Sequence, residues 1–528
     1  MGKYFILFTG LTLAATSFAA PLFKNSAALR QTYRFDKALA AIPQNQKIKI
    51  AVLDKAWTGY KAEIGKTLPS TTRFINGAVS APQDMTSNHG LRMAQIVSAM
   101  LDAVKRPQQV EMRLYQVYGF TNFKAAIDAL IQDPPHVVLY SEVWELGGNF
   151  DGRGFINSEV NRATNAGIIW VNASGNFGFR TYNAPVRTIK DDWVQLPDLN
   201  NSWKIVCEAP KGQKCPVRVV LTWNDFKDDS EAGTNRDLDL ALTDDLLNII
   251  QTSTLKQSDD RNEARPGYSK YPREAVSAEV KPGTYFARVK NASKNFAGAD
   301  ALRLTVDGDF VKVDSYDLDE SLLNPGDNPN VISVGAIDSE RTGRSARLGR
   351  PDLWAVSSVQ LDADNEFRGT SNSAAITAAS VALTMAYNTG RGYNLDRRQV
   401  MNLLSLPFSW EQGGTSLRAL GFGPQGTCFQ EGGWPRPPEA AARLMALGGV
   451  IVSTTEGWKV MTAFDPWIVS GLKRNRDQER LIVTPSGYVS MDRFAPLNPD
   501  QVEVFQRPLE AGLCRRPLFT KGNLLRPF

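Results

Sequence analysis

Ser371 sits in the stretch FRGTSNSAAITAASVALT (367–384), two residues after Gly369 and just ahead of a long apolar run. A serine there is either the polar first turn of a buried helix or a nucleophile held where backbone N–H groups point at what it attacks. Ser373 poses the same alternative two residues later. A serine nucleophile needs a base, and the chain of 528 residues holds only two histidines, His89 and His136. His89 opens a helical pattern in SNHGLRMAQIV, whereas His136 follows Pro134-Pro135 and reads as a surface loop residue ahead of a strand. Asp54 closes the apolar run IKIAVLD, where a carboxylate could orient an imidazole. Neither histidine lies in H-E-x-x-H and no C-x-x-C occurs, which argues against a zinc centre built on His or Cys. No histidine follows Ser371 and GTSNS lacks the last glycine of G-x-S-x-G, so the Ser, acid, His order of α/β-hydrolases fails. Acyl transfer by Asp54, His89 and Ser371, in that chain order, remains.

The elements that must position these residues follow from periodicity. IKIAVLD (48–54), MRLYQVY (112–118), HVVLYSEV (136–143), IIWVNAS (168–174) and NVISVGAI (330–337) read as buried strands. Between the first four, helical patterns run over 91–104, 122–132 and 155–167. In the first, Met93, Ile96, Val97, Met100, Leu101 and Val104 share one face. Strands alternating with helices predict an α/β fold with a parallel sheet covered on both faces, whose ligands bind beyond the strand C-termini. The helix beginning near Ser371 is apolar around its circumference and is therefore buried. From 183 to 321 the helices vanish and strands recur between turn clusters such as PKGQ and KPGT, predicting an inserted antiparallel β-sandwich.

In these blocks the chain resembles the subtilisin-like serine proteases. IAVLD matches the strand carrying that family's Asp, and HGLRMAQIV resembles the block around its His. NASGNFG (172–178) resembles the block supplying an oxyanion-hole Asn, here Asn176, and GTSNSAA resembles the nucleophile block, on Ser371 and not Ser373. The resemblance covers roughly 48–182 and 325–390. It implies a subtilisin-like parallel sheet and a secreted serine endopeptidase whose catalytic residues are Asp54, His89 and Ser371. Substrate-binding positions would be Ser141, Glu142, Val143, Gly147, Gly148, Ser174 and Gly175, taking an extended polypeptide by strand addition. Catalysis would need no cofactor. Lys55 and Ala56 stand where the family has a small residue and Gly, Leu91 where it has Thr, and the proline after its nucleophile block is absent. The different-class alternative is a catalytically silent scaffold that binds a partner through the sandwich and C-terminal region.

The remaining boundaries are a secretory signal over 1–19, an N-terminal segment 20–47, catalytic parts 48–182 and 322–410, and a C-terminal α+β region 411–528 with a helix at 465–475. The insert resembles jelly-roll domains. Its acidic run (Asp225, Asp228, Asp229, Glu231, Asp237, Asp239) can hold Ca²⁺, or can be a solvated loop leading into a strand with Leu238 and Leu240 inward. Glu142 and Glu145 beside the cleft could select basic substrates, or merely alternate along an exposed strand. Export favours disulfides, and of three possible pairings Cys207–Cys215 as a hairpin staple with Cys428–Cys514 is preferred. A net charge of +5 without a basic stripe argues against nucleic acid. No segment after the signal is long and apolar enough for a membrane.

Overall fold

The buried strand runs of the sequence form one nine-stranded sheet in the structure, a computed structural model. It describes residues 23–407, except 34, 83–85, 260–265, 361–365, 391 and 393, and beyond them only the strand segments 415–417, 449–454, 457–462, 467–468, 481–484, 487–490, 495–496 and 526–527. The signal read at 1–19, Cys428 and Cys514 lie outside the described residues.

In chain order the sheet-forming part runs α1 (Ser26–Thr32), α2 (Phe35–Ala41), β1 (Ile48–Asp54), α3 (Tyr60–Glu63), β2 (Arg73–Ile75), α4 (His89–Met100), β3 (Val110–Gln116), α5 (Gly119–Gln132), β4 (Val137–Tyr140), α6 (Phe155–Asn165) and β5 (Ile169–Ala173). The sandwich strands are β6 (Thr181–Pro185), β7 (Trp203–Cys207), β8 (Cys215–Trp223), β9 (Leu238–Thr243), β10 (Ile249–Ser253), the short pair β11 (Lys256–Gln257) and β12 (Tyr268–Ser269), β13 (Arg273–Val280), β14 (Gly283–Asn291), β15 (Ala301–Asp307) and β16 (Val311–Val313). The sheet part resumes with β17 (Ile332–Ala336), β18 (Leu353–Ala355), the short pair β19 (Val359–Gln360) and β20 (Glu366–Phe367), α7 (Thr370–Thr389), α8 (Arg397–Leu404), β21 (Ser405–Pro407) and β22 (Thr415–Leu417).

The large sheet has the order β2-β3-β1-β4-β5-β17-β18-β22-β21, parallel throughout except at its last pair. Strand side chains alternate between two cores. Ile48, Ile50 and Val52 join the face carrying α1, α2, α4 and α7, while Ala51 and Leu53 join the face carrying α5 and α6. The N-terminal segment is part of this core, burying Phe23, Phe35 and Leu39. Every residue of α7 from Thr370 to Asn388 is buried. Along its middle, Thr377, Ser380 and Thr384 donate to the carbonyls four residues back. On α4 the expected face is buried except Val104, because the helix ends at Met100 and Val104 falls in a 3₁₀ turn with its side chain exposed. Among the described residues no helix is long and apolar enough to cross a membrane.

The insert is a sandwich of two antiparallel sheets, β10-β9-β14-β7-β16 and β13-β8-β15-β6, with Trp203, Ile205, Val217, Val219, Leu221 and Trp223 in its core. Strands β6 and β16, which open and close it, escaped the sequence reading. Cys207 and Cys215 are disulfide-bonded, but the bridge is not a hairpin staple. Strand β7 pairs with β14 and β16, and β8 pairs with β13 and β15, so the bridge joins the two sheets across the core. In the C-terminal region, 467–468 is a strand where a helix was expected.

The bridge closes a loop of sequence separation 8, for which loop-closure entropy gives roughly 2–3 kcal/mol. Replacing both cysteines by serine is expected to lower the sandwich's thermal transition by roughly 5–10 °C. Calorimetry of the wild-type and double-variant chains checks this, and an unmoved transition would show that the bridge does not hold the sheets together.

Candidate active site

The chain leaves β1 toward β3 on one side of the sheet, then crosses back to lay β4 and β5 on the other. Such a reversal opens a crevice at the carboxyl ends of the two strands flanking it, here β1 and β4. Asp54 is the last residue of β1 and Ser141 follows the last residue of β4. His89 is the first residue of α4, and Ser371 is the second of α7.

Asp54 has no exposed surface. Its Oδ1 accepts the Ala56 N–H at 2.9 Å, and its Oδ2 lies 2.7 Å from Nδ1 of His89. The start of α4 reaches it because of Gly90, whose N–H donates to the Ala56 carbonyl at 2.8 Å. A Cβ on Gly90 would stand 2.5 Å from Asp54 Cβ and 2.9 Å from its Cγ. Trp57 fixes the turn by donating Nε1–H to the carbonyls of Asp54 (2.9 Å) and Tyr115 (3.2 Å).

A second carboxylate approaches the same imidazole. Glu142 Oε1 lies 3.7 Å from His89 Nδ1, and its Oε2 accepts from Lys55 Nζ at 2.8 Å. Burial alone would lower the His89 pKa, but the Asp54 carboxylate and then Glu142 outweigh it and raise the ring above its ordinary value, with Lys55 opposing. Burial, and then repulsion from Asp54, pushes the Glu142 carboxyl up. Lys55 is raised as well, its partial burial being outweighed by Glu142.

Ser371 is 8% exposed, and its Oγ donates to the Ser141 carbonyl at 3.1 Å instead of to His89. Its backbone N–H is one of the first-turn donors that a helix cannot satisfy internally. Asn176 is exposed beside it. Its Oδ1 accepts from Thr370 N–H (3.1 Å) and Thr370 Oγ1 (3.3 Å), which leaves its amide N–H₂ without a partner among the described residues. Gly369, at φ 150°, brings that contact about, since a Cβ there would meet Asn176 Nδ2 at 3.2 Å. Ser373 donates to the Ala355 carbonyl at 2.9 Å and belongs to the buried first turn.

The strand expected through Val143 ends at Tyr140. Trp144 N–H donates to the Asn324 carbonyl at 2.8 Å, which pulls the chain out of the sheet and leaves 141–143 facing the site. Val143 and Gly175 (φ 88°) meet across it, a Cβ on the glycine standing 3.3 Å from Val143 Cγ1, with Ser174 buried just before. Gly147 and Gly148 are close-packing positions, where a Cβ would come within 2.4 Å of Ile156 Cγ1 and Asn324 Oδ1. Glu145 is taken up by Arg218 and Thr305 of the sandwich. His136 is held to β1, accepting Lys49 N–H at 3.2 Å, and burial with Lys49 nearby pushes it down to about 4.

The acidic run does not converge. Asp225 pairs with Lys227 and Thr234, Asp228 accepts Gly154 N–H and Asp229 accepts Glu231 N–H. Asp237 and Asp239 lie apart at β9, where burial raises both, the former to about 6 with Asp239 adding repulsion. Among the described residues the one group of three such side chains within ligand distance is Asp54, His89 and Glu142, so the acidic run brings no three of its carboxylates within that distance. Sequence reasoning missed Lys55 and Thr370 as site-building residues. Lys55 stood out only as an unusual neighbour of Asp54.

With a parallel sheet reversing at β1 and the residues in Asp, His, Ser order around its carboxyl edge, the fold is subtilisin-like. No family model and no curated protein matches the chain. Among solved structures it is similar to the CspB protease of Clostridium perfringens, at 12% identity over 76% of this chain and 97% of that one, with TM-score 0.44. It is similar also to the prenylagaramide maturation protease PagA, at 12% identity over 73% and 96%, with TM-score 0.35. A third likeness is to the pre-peptidase C-terminal domain of a Bacillus anthracis collagenase, at 11% identity over 26% and 90%, with TM-score 0.14.

Gly90→Ala is expected to drive α4 off Asp54 and destabilise the fold by about 1–3 kcal/mol. Gly298→Ala, where a Cβ would meet nothing within 4 Å, is the neutral control. Denaturant unfolding of both variants decides, and equal stabilities would mean that the helix start need not abut the carboxylate.

Proposed function

We propose that the chain is an exported serine endopeptidase that cleaves peptide bonds through an acyl-enzyme on Ser371. The observation that carries this reading is the 2.7 Å contact of His89 Nδ1 with a fully buried carboxylate, at the crevice where Ser371 opens α7. With Nδ1 engaged, Nε2 of His89 is the nitrogen that takes the Ser371 Oγ proton as Oγ adds to the carbonyl carbon. Asp54 orients the ring and stabilises the imidazolium. The Asn176 amide and the Ser371 N–H hold the oxyanion. Collapse breaks the C–N bond and His89 gives its proton to the leaving amine. Water, deprotonated by the same ring, then releases the acid and restores Ser371. An extended polypeptide would lie between 141–143 and 174–176. The Cys207–Cys215 bridge supports export.

One observation favours the second reading, a silent scaffold acting through the sandwich and C-terminal region: Ser371 Oγ faces the Ser141 carbonyl. A fluorophosphonate probe separates the two. Labelling is expected on the folded chain, abolished in Ser371→Ala and strongly reduced in His89→Ala. In Asn176→Ala peptide hydrolysis should slow by about 10²–10³-fold. Folded protein that takes no label sinks the endopeptidase reading, and label surviving Ser371→Ala would move the nucleophile elsewhere.

A further inference from the structure

We propose that Glu142, held by Lys55, is a positioning residue that supports the Nδ1 edge of the His89 imidazole beside Asp54. Only the kinetic arm of the test below rests on the endopeptidase reading. The geometry is specific. Glu142 is 16% exposed at its side chain and has its two oxygens divided, one toward His89 Nδ1 at 3.7 Å and one on Lys55 Nζ at 2.8 Å. Lys55, 53% exposed, comes from the residue after Asp54, so the turn that delivers the first carboxylate also delivers the cation that holds the second. Glu142 reaches the ring because β4 stops at Tyr140 and the following segment is pulled toward Asn324.

The charges explain why the arrangement holds together. Two carboxylates in a partly buried site repel, and each is costly to desolvate. Lys55 offsets one of them, leaving the cluster of Asp54, Glu142, Lys55 and neutral His89 with one net negative charge. Protonation of the ring brings it to zero, so the cluster favours the imidazolium. The other titratable groups whose charge or burial bears on Glu142 and Lys55 are Tyr140, at the end of β4, and Glu145, itself bonded to Arg218 and Thr305. Arg92 of α4 turns to Gln95, and α7 carries no charged side chain.

Because the chain has two histidines and burial pushes His136 down to about 4, the His89 titration can be followed alone by NMR of ¹³C-labelled imidazole in the full chain. Glu142→Gln is expected to move the His89 midpoint to lower pH, and Lys55→Met to move it to higher pH. Opposite shifts are what a general loosening of the site would not produce. Midpoints that stay put, or that move in one direction in both variants, overturn the proposal. If Glu142→Gln does not fold, Lys55→Met at its half-exposed position still decides by the sign of its shift. In the kinetic arm, Glu142→Gln should lose roughly tenfold in the plateau rate of fluorophosphonate labelling, about 1.4 kcal/mol of barrier, while its acid limb moves to lower pH. Opposite NMR shifts in a chain that takes no label would keep this proposal and sink the endopeptidase reading. Label with unmoved midpoints would do the reverse.

Discussion

Much of the site follows from burying the Asp54 carboxylate completely. An ionised carboxyl without exposed surface costs several kcal/mol unless hydrogen bonds replace its water. Here the replacements are the Ala56 N–H and the His89 ring. To supply them, β1 must end in a tight turn, α4 must start against that turn, and the second residue of the helix must lack a side chain. Trp57, donating to two carbonyls at the ends of neighbouring strands, keeps the turn from opening. The desolvation that makes Asp54 a firm partner for His89 also makes the site sensitive to any further charge, and Lys55 and Glu142 are the nearest such charges.

The sandwich acts on the same cleft from the far side. Arg303 of β15 is buried, stacks on Phe150 at 3.6 Å from the ring centre, and donates to Asn183 Oδ1 and to the carbonyls of Leu322 and Glu320. Burial pushes its guanidinium down to about 9 despite Asp327 nearby. Asn149 and Phe226 exchange two hydrogen bonds, Asp228 accepts Gly154 N–H, and Glu145 is held by Arg218 and Thr305. The loop following the cleft segment is thus tied to the insert at both ends and in the middle. Chain that leaves a sheet so early needs such ties, because its backbone groups lose their ladder partners.

What was legible in the sequence was what local pattern encodes. Continuous apolar runs gave the parallel strands, the all-round apolar helix gave a buried α7, and the scarcity of histidine singled out His89. Patterns that depend on distant partners were not legible. The acidic run looked like a cation loop because spacing reveals density but not that Asp228 caps a glycine 74 residues away. The cysteines looked like a hairpin staple because a short separation does not tell which sheet each strand joins. Lys55 and Glu142, 87 residues apart, carry no periodic signature that pairs them. The early end of β4 is set by Asn324, beyond the whole insert.

These constraints meet at Ser141 and Glu142. The carbonyl of the first accepts a hydrogen bond from the Ser371 hydroxyl, and the carboxylate of the second flanks the ring that must take that hydroxyl's proton in the proposed chemistry. A hydroxyl donating to a neutral carbonyl keeps its proton; one donating to an imidazole can lose it. In the proposed chemistry Ser371 Oγ would have to turn from the Ser141 carbonyl to the His89 ring, and both of these lie against consecutive residues of one short segment. In that proposed chemistry, a movement of 141–143, whether from an extended chain pairing with it or from the sandwich through Glu145, would reach the proposed nucleophile and base together.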